Sequence, residues 1–266
     1  LRRRTYITVL TTVITALSLI GTPGASAATS VGSNCTGNNA EIPAATLVQL
    51  ESSTSPSSAS IPVAGVITKW GVNVIPYPGG ISEKLKVLRS TGGNNFTTVG
   101  ESTSQAIVSG QNTFATRIPV QAGDHLGASS AQTVIYCIPG GGPGDLIGGT
   151  PGDTSSGSTT EFVPVIEGVL ALSATVEPDA DNDGFGDETQ DHCPQNAAVQ
   201  TPCPVVKLSV SSVVKKGSAR VLVTSDFQAP VTVKGTVNLG KGKKARLNGG
   251  TQIVVPGTIA KFTLLF

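Results

Sequence analysis

Short runs of alternating apolar and polar residues recur along the chain, separated by Gly, Pro, Asn and Ser. A period of two turns one face of a strand to a core and the other to water. The runs at residues 46–51, 65–75, 84–90, 96–101, 105–108, 113–120, 125–129 and 133–138 fit this pattern. Turn signals punctuate them: Gly92-Gly93-Asn94-Asn95, Gly110-Gln111-Asn112 and Ala122-Gly123-Asp124. Residues 139–160 are rich in Gly, Pro, Ser and Thr, which predicts a mobile loop. An extended pattern resumes at 162–176, with Val169, Leu170, Leu172, Ala174 and Val176 apolar, and reads as a closing strand. Together these runs predict an all-β, jelly-roll-like antiparallel sandwich over residues 28–178.

A second alternating region begins at residue 204. Val206, Leu208 and Val210 are followed by runs at 220–224, 231–239, 245–247, 251–255 and 261–266. Gly249-Gly250 and Pro256-Gly257 read as turns between them. Residues 204–266 therefore predict a small Ig-like β module, near the lower size limit for independent folding.

Composition and charge sharpen this division. Only 13% of residues are charged, about half the usual ~25%, which argues against a cytosolic helical protein with solvated helix faces. With 38% apolar residues and a net charge of +1, global disorder is excluded. Residues 28–203 carry five Lys and Arg against sixteen Asp and Glu, whereas 204–266 carry ten against Asp226 alone. Two units of opposite surface charge are expected.

The N-terminus reads as an export signal. Arg2-Arg3-Arg4 is basic, residues 6–20 are apolar, and Ala25-Ser26-Ala27 supplies small residues for cleavage. The apolar run is shorter than the roughly 20 residues that span a bilayer. Residues 1–27 are thus expected to be a signal peptide, with a secreted mature chain starting at Ala28 and no membrane span within it. Four cysteines in an exported chain allow three pairings. The local one, Cys35–Cys137 with Cys193–Cys203, is the simplest. A zinc site on all four thiolates is the rival, but no Cys-x-x-Cys pair builds it.

One motif carries chemistry in its spacing: Asp179-Ala-Asp181-Asn-Asp183-Gly184-Phe185-Gly186-Asp187. Oxygen donors at positions 1, 3, 5 and 9 and a turn Gly at 6 suit a hard cation that takes six to eight oxygens, here Ca²⁺. The Phe185 carbonyl occupies position 7, and Glu188 or Asp191 would complete the shell, because position 12 is Gln190. The competing reading is a plain acidic linker. From Asp179 through Cys193-Pro194 the chain resembles a thrombospondin type-3 repeat, with Asp191 and Cys193 one position later than usual. The wider arrangement resembles a group of uncharacterised actinobacterial exported proteins. These join a β-sandwich with an Ile-Pro-Val-x-Ala-Gly-Asp-type turn, here Ile118 to Asp124, to one calcium repeat and a basic β module. The resemblance implies an architecture and no activity. It makes residues 179–203 a calcium-binding hinge between an acidic and a basic unit.

Other candidates are weaker. Gly235-x4-Gly240-Lys241 imitates a phosphate loop, but Gly242 stands where Ser or Thr should hold Mg²⁺ and no helix follows. Two histidines and no Gly-x-Ser-x-Gly elbow leave little for a triad enzyme. Among Glu83, Glu101, Glu161 and Glu167 nothing singles out a glycosidase pair. Trp70, the sole Trp, sits in an apolar strand and reads as core, with a sugar-stacking platform as the alternative. Lys241, Lys243, Lys244 and Arg246 form a basic turn suited to polyanions. The expectation is an exported, non-enzymatic, calcium-binding surface or matrix protein that binds glycan or anionic cell-wall polymer and no nucleic acid. A secreted hydrolase with an unrecognised carboxylate site is the alternative.

Overall fold

The computed structural model describes residues 27–51, 60–75, 80–131, 133–137, 144–210, 218–240 and 243–265. The expected signal peptide before Ala27, and Lys241 of the basic turn, lie outside them. The described chain divides into two compact units, one ending at Pro202 and the other beginning at Cys203.

The first unit opens with β1 (Thr29–Gly32), β2 (Thr36–Glu41), β3 (Ala45–Glu51) and β4 (Gly65–Val74). Next come β5 (Ile81–Gly92), β6 (Asn95–Glu101), β7 (Gln105–Ile107), β8 (Gly110–Val120), β9 (His125–Ser130) and β10 (Thr133–Cys137). β11 (Leu146–Pro151), β12 (Thr159–Glu161), β13 (Val163–Glu167), β14 (Val169–Leu170) and β15 (Leu172–Glu177) complete it. One sheet runs β1-β15-β4-β2-β10-β14, with β8 added on β4. The other runs β12-β6-β5-β9-β3-β11-β13, with β7 added on β5. Pairing among the described residues is antiparallel apart from a short parallel β2–β4 contact.

The two sheets enclose a core that includes Ile67, Trp70 and Val72 of β4, Leu85 and Val87 of β5, and Leu172, Ala174 and Val176 of β15. A bulge at Thr68 interrupts both ladders of β4, so Ile67 and Trp70 reach the same core despite their odd spacing. Trp70 is buried with its ring 4.9 Å from Phe114, so it is a core residue and offers no stacking platform. A second, smaller cluster of Val48, Leu88, Phe96 and Phe162 lies on the opposite face of the β5-containing sheet. The chain from 152 to 162 crosses this face, bonded at Gly152 N to Ala44 O and at Phe162 N to Asn94 O.

Cys35 and Cys137 are disulfide-bonded across 102 residues. Cys193 and Cys203 are also disulfide-bonded and no described cysteine is free, which leaves the local pairing. The turn at Ile118–Asp124 has a physical basis too. Buried Asp124 accepts from Gln121 N at 2.8 Å and from two guanidinium nitrogens of Arg89 at 2.7 and 2.9 Å.

Two expectations need correction. Within the expected loop 139–160, β11 is an interior strand between β3 and β13, and β12 pairs with β6. The glycines that signal a loop are imposed by packing instead: a Cβ at Gly148 would lie 2.8 Å from Leu50 Cδ1. Likewise, Gly249-Gly250 forms a bulge inside one long strand, with Gly250 at φ 78°, where a side chain is strained. The second unit thus has β16 (Val206–Val210), β17 (Ser218–Ser225), β18 (Ala229–Gly240), β19 (Lys243–Val254) and β20 (Ala260–Leu265). They form one sheet in the order β16-β17-β20-β19-β18, with Val221, Val223, Val233, Leu247, Val254, Phe262 and Leu264 as its core.

Glu83 shares the core-facing side of β5 with Ile81, Leu85 and Val87, and its Oε2 has no partner. It is 2% exposed, and burial pushes its carboxyl up to about 8. Between the ordinary glutamate range and pH 8 the folded state therefore holds a proton that the unfolded chain releases, so stability falls as pH rises. The slope is about 1.4 kcal/mol per pH unit. Denaturation of Glu83→Gln beside the wild type is expected to show the variant's relative stability growing from pH 5 to 8 and levelling above.

Candidate metal centre

The Asp-rich segment begins where β15 ends, and Glu177 joins the two. Bulged out of both β4 ladders, Thr68 donates its hydroxyl to Glu177 Oε1 at 2.7 Å. Thr189 Oγ1 donates to the same oxygen at 2.8 Å, while Glu188 N and Thr189 N donate to Oε2 at 3.1 and 2.9 Å. Burial opposes ionisation of this carboxyl, but the four donors outweigh it and hold Glu177 below the usual carboxylate range. Close approach is possible because residue 186 is Gly: a Cβ there would fall 2.5 Å from both Glu177 Oε2 and Thr68 Cγ2. Arg117 of β8 stacks 4.0 Å above the Phe185 ring, and Gln190 donates to Thr116 O at 2.8 Å. The segment expected as a hinge is therefore docked on the sandwich, and its residues up to Pro202 belong to that unit.

The loop closes on its own carboxylates. Asp179 accepts Asp183 N and Gly184 N, each at 3.0 Å, and Asp183 accepts Phe185 N at 2.8 Å. Asn182 and Gly184 adopt φ of 59° and 83°, the left-handed turn that the motif's Asn and Gly tolerate. Gln200 returns to Asp183 Oδ2 at 2.8 Å, and Asp187 accepts Ala180 N. Oxygens of Asp179, Asp181 and Asp183 come within 4.8 Å of one another, a group that can hold a metal ion. Both Asp181 oxygens are buried without a partner. Burial raises the Asp181 carboxyl, and the charges of Asp183, Asp191 and Asp179 raise it further. Burial likewise raises Asp187, with Asp179, Asp191 and Asp181 adding to it.

Asp191, 1% exposed, accepts from Cys193 N on Oδ1 at 2.7 Å and leaves Oδ2 buried without a partner. Its charge acts on both Asp181 and Asp187. Glu188, the other candidate for closing the shell, accepts from Ala28 N on Oε1 at 2.6 Å. Gln190 is spent on Thr116 O and Gly186 N. Sequence reasoning passed over Glu177, and its only signal there is its place at the end of an apolar strand run.

The remaining candidates are scattered. Lys244 and Arg246 are exposed on β19, opposite Asn238 and Thr236 of β18, and Lys243 opens the same strand. Glu83 and Glu101 lie on opposite faces of the sheet, the first in the core and the second on Lys86, while Glu161 and Glu167 are exposed. No helix among the described residues is long and apolar enough to cross a membrane. Compared with protein families, characterised proteins and solved structures, the chain matches none.

Replacing Glu177 with Ala is expected to cost about 2 kcal/mol or more at pH 7, since buried donors lose a charged acceptor. Its depressed carboxyl contributes stability above the ordinary glutamate range and loses it as pH falls through the folded value. Urea denaturation, with amide exchange read at Glu188 and Thr189, checks both the cost and its location.

Proposed function

We propose that the chain is an exported surface or matrix protein. In this reading its Asp179–Asp191 loop binds Ca²⁺, and its basic module holds glycan or anionic wall polymer. The observation that carries the calcium reading is the set of buried carboxylate oxygens without partners, two on Asp181 and one on Asp191. Buried charges are normally matched, and an all-oxygen donor set matches a hard cation. Asp179, Asp181, Asp183, Asp187, Asp191 and the Phe185 carbonyl make up the shell, with Asp191 as the closing ligand in place of Glu188. Ca²⁺ is preferred over Mg²⁺, which demands a tight octahedron that so many bulky carboxylates do not supply. Support for export comes from the signal-like N-terminus and two disulfides, which persist in oxidising compartments. The resemblance to a thrombospondin type-3 repeat agrees with the same site.

Calorimetric titration of the chain from Ala28 is expected to give a Ca²⁺ Kd of roughly 10⁻⁴–10⁻³ M. Asp181→Asn and Asp191→Asn should each weaken binding at least about tenfold, a loss of ~1.4 kcal/mol, whereas Glu188→Gln should leave it near the wild type. Equal calcium heats in all four proteins would make the loop a plain acidic segment.

The polymer reading rests on the ten basic residues of 204–266 and on exposed Lys244 and Arg246 along one strand. Retention on anionic wall polysaccharide is expected to fall with added salt, because several cations act together and are screened. Changing Lys241, Lys243, Lys244 and Arg246 to Ser should abolish most of the retention at low salt. Unchanged retention would reduce the cluster to a solvated face.

A further inference from the structure

On the outer face of β5, away from the core, Lys86 is 0% exposed. Its ammonium meets three acceptors: Glu101 Oε2, Asp153 Oδ1 at 2.5 Å and Thr154 O at 2.7 Å. Sheet register sets Glu101 of β6 directly opposite Lys86. Asp153 arrives from the segment after β11, which is pinned by Thr154 N on Thr46 Oγ1 at 3.0 Å and by Thr154 Oγ1 against Thr98 Oγ1 at 2.8 Å. Lys84, two residues earlier on the same face, binds the second Asp153 oxygen at 2.6 Å. Burial alone would raise the Asp153 carboxyl, but hydrogen bonds from Lys84, Lys86 and Ser129 outweigh it. A fully buried primary amine thus faces a carboxyl carbon, with a second carboxylate on the amine and a second ammonium on the acceptor.

We propose that Lys86 and Asp153 condense within the folded chain to an intramolecular isopeptide bond, with Glu101 and Lys84 as the catalytic groups. Lys86 passes one ammonium proton directly to Asp153 Oδ1, which leaves a neutral amine beside a neutral carboxyl group, and the freed nitrogen lone pair attacks Asp153 Cγ. Lys84 stabilises the negative charge that develops on the carboxyl oxygen it contacts. As the C–N bond forms, Glu101 takes a second proton from the nitrogen and delivers it to the protonated oxygen, which departs as water. The C–N bond forms as one C–O bond breaks. Of the three ammonium protons, two leave with that oxygen as water and one stays on the amide nitrogen. No oxidant, metal or co-reactant is needed. Held side by side, the two groups react without the entropy cost of meeting. Asp153 is 45% exposed, so the released water has an exit. The bond would tie β5 to the segment over the smaller hydrophobic cluster and close a loop independent of both disulfides.

Intact mass of the denatured and reduced chain is the test. The wild type is expected to be lighter than its sequence by one water, and proteolysis should yield a branched peptide joining Lys86 to Asp153. Asp153→Ala should restore the full mass, and Glu101→Gln should leave most chains unlinked while still folded. The wild-type measurement decides by itself, whether or not a variant folds. A full sequence mass would overturn the proposal and leave an ion-pair cluster. A water loss mapped elsewhere, such as an imide at Asp183-Gly184, would overturn it equally.

Discussion

Taking a charged side chain out of water costs several kcal/mol unless another group replaces the solvent. This protein places charges in its interior at a handful of positions, and much of its architecture is arranged around matching them. Asp124 is matched by Arg89 and a turn amide, which holds the start of β9 against β5. Lys86 is matched by two carboxylates and a carbonyl, which holds the segment after β11 over the sheet. Glu177 is matched by four donors, which holds the Asp loop against the sandwich. Matching fails at Asp181 and Asp191, whose buried oxygens lack partners, and Asp181 belongs to a group with Asp179 and Asp183 that could hold a metal ion.

The sandwich contributes to that site through one irregularity. The bulge at Thr68 keeps the β4 core pattern in step on both sides while freeing a hydroxyl to reach Glu177. Glu177 in turn fixes the backbone at 188–189, and Gly186 allows the loop to lie flat against it. A cation bound by the Asp cluster would therefore act on a loop already anchored at its base, and its binding energy would go into closing the turn. That arrangement suits an ion that stabilises structure.

Much of this was legible in the chain. Alternation located β3 to β10 within a few residues, because each strand has one face in a core, and cysteine count with local pairing predicted the disulfides. The alternate-residue spacing of Asp179, Asp181 and Asp183 pointed to the carboxylate group that forms, since a tight loop brings such positions together. Other elements were hidden. β1 and β2 carry few apolar residues and are held largely by backbone pairing, which leaves little side-chain signal. Glycines at 148–149 and 249–250 read as turns although one pair is dictated by packing and the other by a bulge, and composition cannot separate these causes.

By itself the sequence determined the β class, the charge split between the two units, the cysteine arithmetic and the carboxylates of the Asp loop. These follow from local periodicity and residue chemistry, which act over a few neighbours. The tertiary structure alone decided that Asp191 keeps a buried oxygen without a partner while Glu188 meets Ala28, that Glu177 anchors the loop, and that Lys86, Glu101 and Asp153 converge. Those outcomes depend on strand register and on which segments cross a sheet face. Both are set by burying the whole core at once, and no local pattern encodes them.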